Sequence, residues 1–220
     1  VTGFEDDEVH LIDAEELRVP HSKAEVPFAS VCPEKMLRNI KWLETCLQHP
    51  RGTAREAIVL DGHLLNTSQF SHQCHLFQRI HVPNFNPGFK DALLVKPHPS
   101  THIFPGSLYE FLITHDHPKA GYDLALDYCC TYEGQQGLVQ PKADLTYVLE
   151  QGVLARHHGV LWLTFSTRRV GGSAESTRHD VTQFLTRLSR RTGYRLKLCD
   201  QGDYVSDMHF KMVYLFFVSL

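Results

Sequence analysis

Short apolar segments that end in polar residues recur along the chain from residue 57 onward. Residues 57–60 form an unbroken apolar run followed by Asp61, and residues 122–129 form a second, largely apolar segment that contains Asp127. Strands buried on both faces of a parallel sheet have this composition. Strand-like segments also occupy residues 78–82, 101–104, 159–165, 194–199 and 210–218. The pattern therefore predicts seven strands.

Apolar residues at helical spacing separate most of these segments. A helix is expected ahead of the first strand, starting at Pro33 and ending at residues 49–52, with Met36, Leu37, Ile40, Leu43 and Leu47 on one face. Ser107 is expected to cap a helix that runs through Leu112, and a short helix is possible at residues 92–95. Two later helices carry apolar stripes at Leu145, Val148, Leu149 and Val153, and at Val181, Phe184, Leu185 and Leu188.

Alternation of strands and helices predicts an α/β domain with a mostly parallel sheet, because parallel neighbours need a crossover connection. The last strand follows a short polar turn instead of a helix, so it is expected to run antiparallel to its neighbour. We place one domain at residues 31–220. Residues 1–30 alternate acidic residues with prolines and are interpreted as an extended N-terminal arm.

Composition narrows the partner classes only slightly. The chain has 220 residues, a net charge of -3 and a pI near 6.6, so nothing attracts the whole molecule to nucleic acid or to an anionic membrane. A nucleic-acid or protein partner would need a local patch, and phosphate contacts are one reading of Arg168, Arg169, Arg187, Arg190, Arg191 and Arg195. No apolar run is long enough to span a bilayer, and no membrane partner is expected. Six scattered cysteines without paired spacing favour an intracellular, reducing compartment.

The order of these elements resembles the class I S-adenosylmethionine (SAM)-dependent methyltransferase fold over residues 33–220. That resemblance implies a Rossmann-like three-layer sandwich, SAM as the cofactor, and methyl transfer to an acceptor that the sequence does not identify. The family has a glycine-rich loop after the first strand, and the corresponding segment here is DGHLLNT, residues 61–67. By resemblance, Asp61, Gly62, Asn66 and Thr67 would bind the methionine end of the cofactor at the start of a helix.

The resemblance also assigns residues at the ends of the next three strands. The acidic residue with which the family binds the ribose falls at Asn84, with Asn86 nearby, and an amide can both donate to and accept from hydroxyls. Adenine would lie near Gly106 and Ser107. Asp127 and Tyr128 end the fourth strand, where the family places the acceptor: Asp127 could orient or deprotonate the nucleophile, and Tyr128 could stack on a planar group.

Two other function classes stay open from sequence alone. The altered first loop and the non-acidic second strand favour a catalytically inactive methyltransferase-fold scaffold or interaction subunit. The chain has 15 histidines, and the spacings of His98 with His102 and of His115 with His117 are compatible with zinc ligation, as is the Cys74-His75 pair. A zinc-dependent hydrolase is the third reading, although no metal ligands are assigned.

Overall fold

The computed structural model describes residues 33–51, 54–61, 65–84, 97–134, 139–167, 173–206 and 209–220. Five helices and seven strands lie in these ranges. The helices are α1 (Pro33–Gln48), α2 (Asn66–Gln73), α3 (Leu108–Thr114), α4 (Pro141–Glu150) and α5 (Ala174–Thr192). The strands are β1 (Glu56–Leu60), β2 (Arg79–Pro83), β3 (Thr101–Phe104), β4 (Asp123–Asp127), β5 (Val160–Ser166), β6 (Leu196–Val205) and β7 (Lys211–Ser219).

All seven strands belong to one sheet in the order β3-β2-β1-β4-β5-β7-β6. The first five strands pair in parallel, and β7 pairs antiparallel with both β5 and β6. The predicted α/β sandwich with a single reversed strand is therefore confirmed. Strand order reverses between β1 and β4, and ligands of open parallel sheets bind beyond the carboxyl ends of the strands at such a point.

Helices cover both faces of the sheet. On one face α3, α4 and α5 enclose a core that includes Leu124, Leu126, Leu161 and Phe165. On the other face α1 packs its Trp42 against a second core that includes Val59, Ala125, Trp162 and Phe216. Trp42 stacks on Phe77 at a ring-centroid distance of 5.1 Å. Among the described residues, no helix is both long and apolar enough to cross a membrane.

Helix α1 lies where the sequence predicts it, but a different face is buried. Asn39, Trp42, Leu43, Thr45 and Cys46 face the sheet. Leu37, Ile40 and Leu47 are 53%, 38% and 59% exposed, so the predicted apolar stripe is wrong for these three residues. The buried face is centred on Trp42, which lies 6.2 Å from Trp162 between ring centroids and, as a large aromatic side chain, buries more apolar surface than an aliphatic one.

Helix ends follow their local sequence. Ser107 caps α3 in a capping box, in which its hydroxyl accepts from the Glu110 N–H and the Glu110 carboxylate accepts from the Ser107 N–H. Gly193 ends α5 with φ of 75°, a conformation that glycine adopts at low cost. The N-terminal arm at residues 1–30 and the expected helix at 92–95 lie outside the described residues.

A buried ion cluster closes the amino edge of the sheet. Asp123, fully buried at the start of β4, accepts from Arg51 at 2.8 Å and from Arg55 at 2.8 and 3.0 Å. Its Oδ1 also accepts from the Val160 N–H at 2.8 Å. The Arg55 guanidinium donates further to three backbone carbonyls, those of Cys46, His49 and His158. The cluster thus ties the α1–β1 connection to β4 and β5.

Candidate functional site

Polar side chains replace the apolar core at the carboxyl ends of the three central strands. Val59, Ala125 and Trp162 face α1 in the middle of β1, β4 and β5. Because side chains alternate along a strand, the residues two positions further on face the same way. Those residues are Asp61, Asp127 and Thr164, and all three are buried or nearly so. They form a polar row under the first turn of α1, beside the point where the strand order reverses.

Lys35 on α1 reaches into this row. Its Nζ lies 2.6 Å from Oδ2 of Asp127, and the two side chains are 18% and 6% exposed. The other carboxylate oxygen of Asp127 accepts a hydrogen bond from the Thr164 hydroxyl. Burial lowers the pKa of Lys35, but the carboxylates of Asp127 and Asp61 outweigh it and raise that pKa above its ordinary value. Lys35 is therefore a cation at neutral pH.

Asp61 is bound to the start of α2. Its Oδ2 accepts from the Ser68 N–H at 2.8 Å and from the Ser68 hydroxyl at 2.9 Å. Leu65, which precedes α2, is buried with φ of 54°, a backbone conformation that L side chains rarely adopt. Burial raises the pKa of the Asp61 carboxyl, while Lys35 and the hydrogen bonds from Ser68 counteract the increase. Asp61 thus serves as the acceptor for helix N–H groups that would otherwise lack one.

The ends of β2 and β3 adjoin Asp61. The side-chain amide of Asn84 donates to the Asp61 carbonyl at 3.4 Å, and the Asn84 N–H donates to the Phe104 carbonyl at 2.9 Å. Gly106 follows β3, where a Cβ would lie 2.5 Å from the Phe104 ring. Ser107 uses both its N–H and its hydroxyl in hydrogen bonds to Glu110. Asp61, Asn84 and Gly106 therefore lie along one edge of the sheet, as the sequence predicts.

The remaining predicted residues are distributed differently. Thr67 is buried and its hydroxyl donates to Asn39 on α1 at 3.3 Å. Asn66 is half-buried at the start of α2. Gly62 and Asn86 lie outside the described residues.

Tyr128 lies on the opposite side of the sheet from Asp127. Its ring stacks on Phe165 at 5.3 Å, and its hydroxyl donates to Asp144 of α4 at 3.0 Å. Only 2% of the residue is exposed. The structure therefore separates the two residues that the sequence pairs as catalytic, because adjacent residues at a strand end point to opposite faces.

Histidines contact one another at three places among the described residues, one of which joins His49 and His158 at a ring-centroid distance of 5.9 Å. His72 and His98 stack at 4.0 Å, and His81 and His102 lie 5.6 Å apart between ring centroids. His81 also hydrogen-bonds Glu56 at 3.1 Å. In the part of the chain that the structure describes, no group of three or more His, Cys, Asp or Glu residues could hold a metal ion. The five cysteines within it are free thiols.

Sequence reasoning missed Lys35 and Thr164. Lys35 precedes the buried positions Asn39 and Trp42 by four and seven residues, so it lies on the same helix face. If the buried face of α1 is centred on Trp42, this spacing places Lys35 on that face and indicates it as a site residue. Thr164 is the polar residue within the apolar run of β5, and its position opposite Asp127 is fixed by the strand register.

Comparisons with known proteins agree with this geometry at the level of the fold. No protein-family model matches the chain, and no curated protein matches its sequence. Trm5b from Pyrococcus abyssi superposes with a TM-score of 0.53 and 9% identity, covering 82% of this chain and 48% of that protein. A provisionally assigned SAM-dependent methyltransferase from Listeria monocytogenes superposes with a TM-score of 0.53 and 7% identity, covering 82% of this chain and 98% of that protein.

A third structure was solved with S-adenosylhomocysteine (SAH). It is SMU.1697c from Streptococcus mutans, a provisionally assigned methyltransferase, with a TM-score of 0.50 and 12% identity over 84% of this chain and 97% of that one. The chain spans about half the length of Trm5b but almost the whole of the two bacterial proteins. At such low identities the likeness concerns the fold, which is that of the class I SAM-dependent methyltransferases.

Proposed function

We propose that the carboxyl edge of the sheet binds SAM and that a methyl group is transferred there to an acceptor beside Lys35 and Asp127. The observation that supports this most directly is the buried polar row of Asp61, Asp127 and Thr164 at the reversal of strand order. Buried carboxylates are costly unless they are paired or serve a ligand. Here they occur at the edge where ligands of this sheet type bind.

Charge provides a test of whether the residues fit the cofactor. Asp61 and Asp127 together bring two carboxylates, whereas Lys35 supplies one cation between them. SAM carries a sulfonium, an ammonium and a carboxylate, so its net charge is positive and offsets the excess. The donor set therefore suits SAM, and it suits the uncharged thioether of SAH less well.

Two of the predicted residues are suited to two parts of the cofactor, the ribose and the methionine end. The Asn84 amide can donate to and accept from ribose hydroxyls. The Asn66 side chain has no hydrogen-bond partner among the described residues, so its amide is available to the methionine end, beside Asp61. When bound, SAM would supply an electrophilic methyl group. Lys35 and Asp127 would orient the acceptor, and Tyr128 would support the site only through the packing of β4.

A scaffold without methyltransferase activity is the second candidate, and one observation favours it. The N–H groups at the start of α2, to which the resemblance assigns the cofactor carboxylate, already donate to Asp61. The donors of Ser107 are likewise used by Glu110. A chain that no longer binds a cofactor would keep such internal contacts, because they stabilise the edge without a ligand.

Calorimetric titration with SAM and SAH separates the two candidates. The enzyme proposal expects both ligands to bind, SAM more tightly, and expects Asn84→Ala to weaken binding about tenfold because a buried hydrogen bond to the ligand is lost. Gln183→Ala, an exposed amide on α5, is the matched control and should bind as the wild type does. If neither ligand binds at millimolar concentration, the enzyme proposal is wrong and the scaffold proposal is retained.

A further inference from the structure

Hydrogen-bond donors without acceptors accumulate on the α1 side of the site. The Lys35 ammonium has three N–H donors, and its one hydrogen-bonding partner among the described residues is Asp127. Arg38, one turn further along α1, places its guanidinium 4.2 Å from the ring centroid of Tyr214, and its buried Nε has no partner in the described ranges. The buried hydroxyl of Ser166, at the end of β5, also lacks one there.

These donors belong to one region of the molecule. Thr164 pairs with Asp127 on one side and with Tyr214 on the other, so the residues under Lys35 and Arg38 are consecutive neighbours across β4, β5 and β7. Ser166 lies two positions beyond Thr164 on the same face. A buried donor that makes no hydrogen bond costs about 1–3 kcal/mol. Because such donors occur at the edge of the sheet where ligands bind, we infer that a ligand provides their acceptor.

Asp127, in contrast, has little capacity left as a base. One carboxylate oxygen accepts from Lys35 and the other from Thr164. Taking a proton from an acceptor would break the ion pair and leave Lys35 with only Asp61 to compensate its charge in a mostly buried position, which is unfavourable. Asp127 and Thr164 are therefore positioning residues, and Lys35 is the group that can contact a substrate.

We propose that the acceptor of the methyl group presents an anionic oxygen, as a phenol or a carboxylic acid does, and that Lys35 binds this oxygen with Arg38 in support. The inference rests on the proposed function and adds the substrate class. A cation held in place by Asp127 lowers the energy of an oxyanion beside it and disfavours a protonated amine.

The reaction balances without a protein base. The acceptor hydroxyl loses its proton to water as the oxyanion forms next to Lys35, which stays protonated. An oxygen lone pair then forms the new O–C bond to the methyl carbon, the C–S bond breaks, and its electron pair stays on sulfur. The products are the methyl ether or ester and SAH.

The test uses para-nitrophenol, whose phenolate is coloured, with benzoate as a second probe, both in the presence of saturating sinefungin, an unreactive SAM analogue that has an ammonium group in place of the methylsulfonium. In the wild-type protein we expect para-nitrophenol to bind as the phenolate, so that its ionisation midpoint falls by about one pH unit or more. Lys35→Met should weaken phenolate and benzoate binding about tenfold or more, whereas Lys35→Arg should restore most of it. Lys41→Met, on the same helix, is the matched control and should change neither.

Each result decides the question. Equal binding of both probes by wild type and Lys35→Met, or binding of neither probe, overturns the acceptor class. Tighter binding of para-nitrobenzylamine than of either anion overturns it as well. Failure of the proposed function is distinguishable because it appears one step earlier, as the absence of SAH binding to the same protein. Circular dichroism and urea unfolding of each variant identify a loss of affinity that results from misfolding.

Discussion

The two edges of the sheet each contain a buried ion cluster, and they differ in how completely it is satisfied. At the amino edge, Asp123 accepts from Arg51, Arg55 and the Val160 N–H, and Arg55 donates to three carbonyls besides. Of this cluster's donors, the buried Arg51 Nε has no partner among the described residues. At the carboxyl edge, Lys35 pairs with Asp127 but keeps spare donors, and the Ser166 hydroxyl and Arg38 Nε have no partner among the described residues.

This difference distinguishes a structural cluster from a functional one. A cluster in which the carboxylate and nearly all the cationic donors are hydrogen-bonded fixes a connection and gains little from a ligand. An incompletely satisfied cluster retains an energetic cost that a ligand can remove. Burial alone does not tell them apart, because Asp123 and Asp127 are both largely inaccessible. The number of donors without a partner among the described residues does differ: it is one at the amino edge, the Arg51 Nε, and several at the carboxyl edge.

The largest effect is expected from Asp123→Ala at the amino edge. The substitution leaves the Arg51 and Arg55 guanidiniums buried without their carboxylate, and breaking such a pair typically costs about 3–5 kcal/mol. Asp203→Ala is the matched control, because Asp203 also pairs with two cations but is 44% exposed, and it should cost less than about 1 kcal/mol. Urea unfolding at pH 7 measures both. Equal losses would show that the amino-edge cluster is no more structural than a surface pair.

Asp144 is a third buried carboxylate, and unlike Asp123 and Asp127 it has a neutral hydrogen-bond partner instead of a cation. Asp144 lies in the first turns of α4 and accepts only from the Tyr128 hydroxyl at 3.0 Å in the described ranges. Burial raises its pKa from 3.8 to about 6, while the hydrogen bond from Tyr128 opposes the increase. Asp144 therefore retains a proton in the folded protein that it releases in the unfolded chain, so its contribution to the free energy of unfolding falls as the pH rises through this interval.

Asp144→Asn should remove that dependence. The amide still accepts from Tyr128 but cannot ionise, so we expect the variant to match the wild type near pH 4 and to exceed it by about 3 kcal/mol at pH 7. Asp180→Asn, an exposed acid on α5, should leave the profile unchanged. The measurement is urea unfolding between about pH 4 and pH 7. If the wild type instead gains stability relative to Asp144→Asn as the pH rises over this range, Asp144 is stabilised in its charged form.

The fold could be predicted from the sequence because the same pattern, a short apolar run bounded by polar residues, is repeated for each strand. Each strand is a separate apolar run, and the short polar turn before β7 permits only an antiparallel neighbour. One helix face was assigned wrongly, since Leu37, Ile40 and Leu47 give α1 a regular aliphatic stripe that competes with the Trp42 face. Which face is buried depends on the shape of the sheet beneath it, and that shape is a tertiary property.

The site was less predictable for the same reason. Asp61, Asn84 and Asp127 are visible as polar residues at strand ends, whereas Lys35 becomes relevant only once the orientation of α1 is known. Tyr128 follows Asp127 directly in sequence, yet the alternation of side chains along β4 sends it into the opposite core. Two neighbouring residues at the end of a strand therefore point to opposite faces of the sheet and do not share one site.

The smallest effects come from a pair of buried serines, one at each edge. The Ser219 hydroxyl, at the amino edge, donates to the Ala155 carbonyl at 2.6 Å and accepts from the Gly159 N–H at 2.9 Å. Ser166, equally buried, makes no side-chain hydrogen bond with a described residue. Ser219→Ala should lower the free energy of unfolding by about 1–2 kcal/mol because it leaves a buried N–H without its acceptor.

Ser166→Ala removes a hydroxyl that is already unsatisfied, so we expect the free energy of unfolding to stay within about 0.5 kcal/mol of wild type or to rise. Both serines lie at strand ends and lose a single oxygen atom, which makes each the control for the other. Urea unfolding of the two variants without ligand gives the comparison directly. If Ser166→Ala loses as much stability as Ser219→Ala, the carboxyl edge is satisfied internally, and its spare donors no longer argue for a bound oxyanion. If it gains stability, the edge retains its hydroxyl at a cost to folding, as a residue selected for binding would.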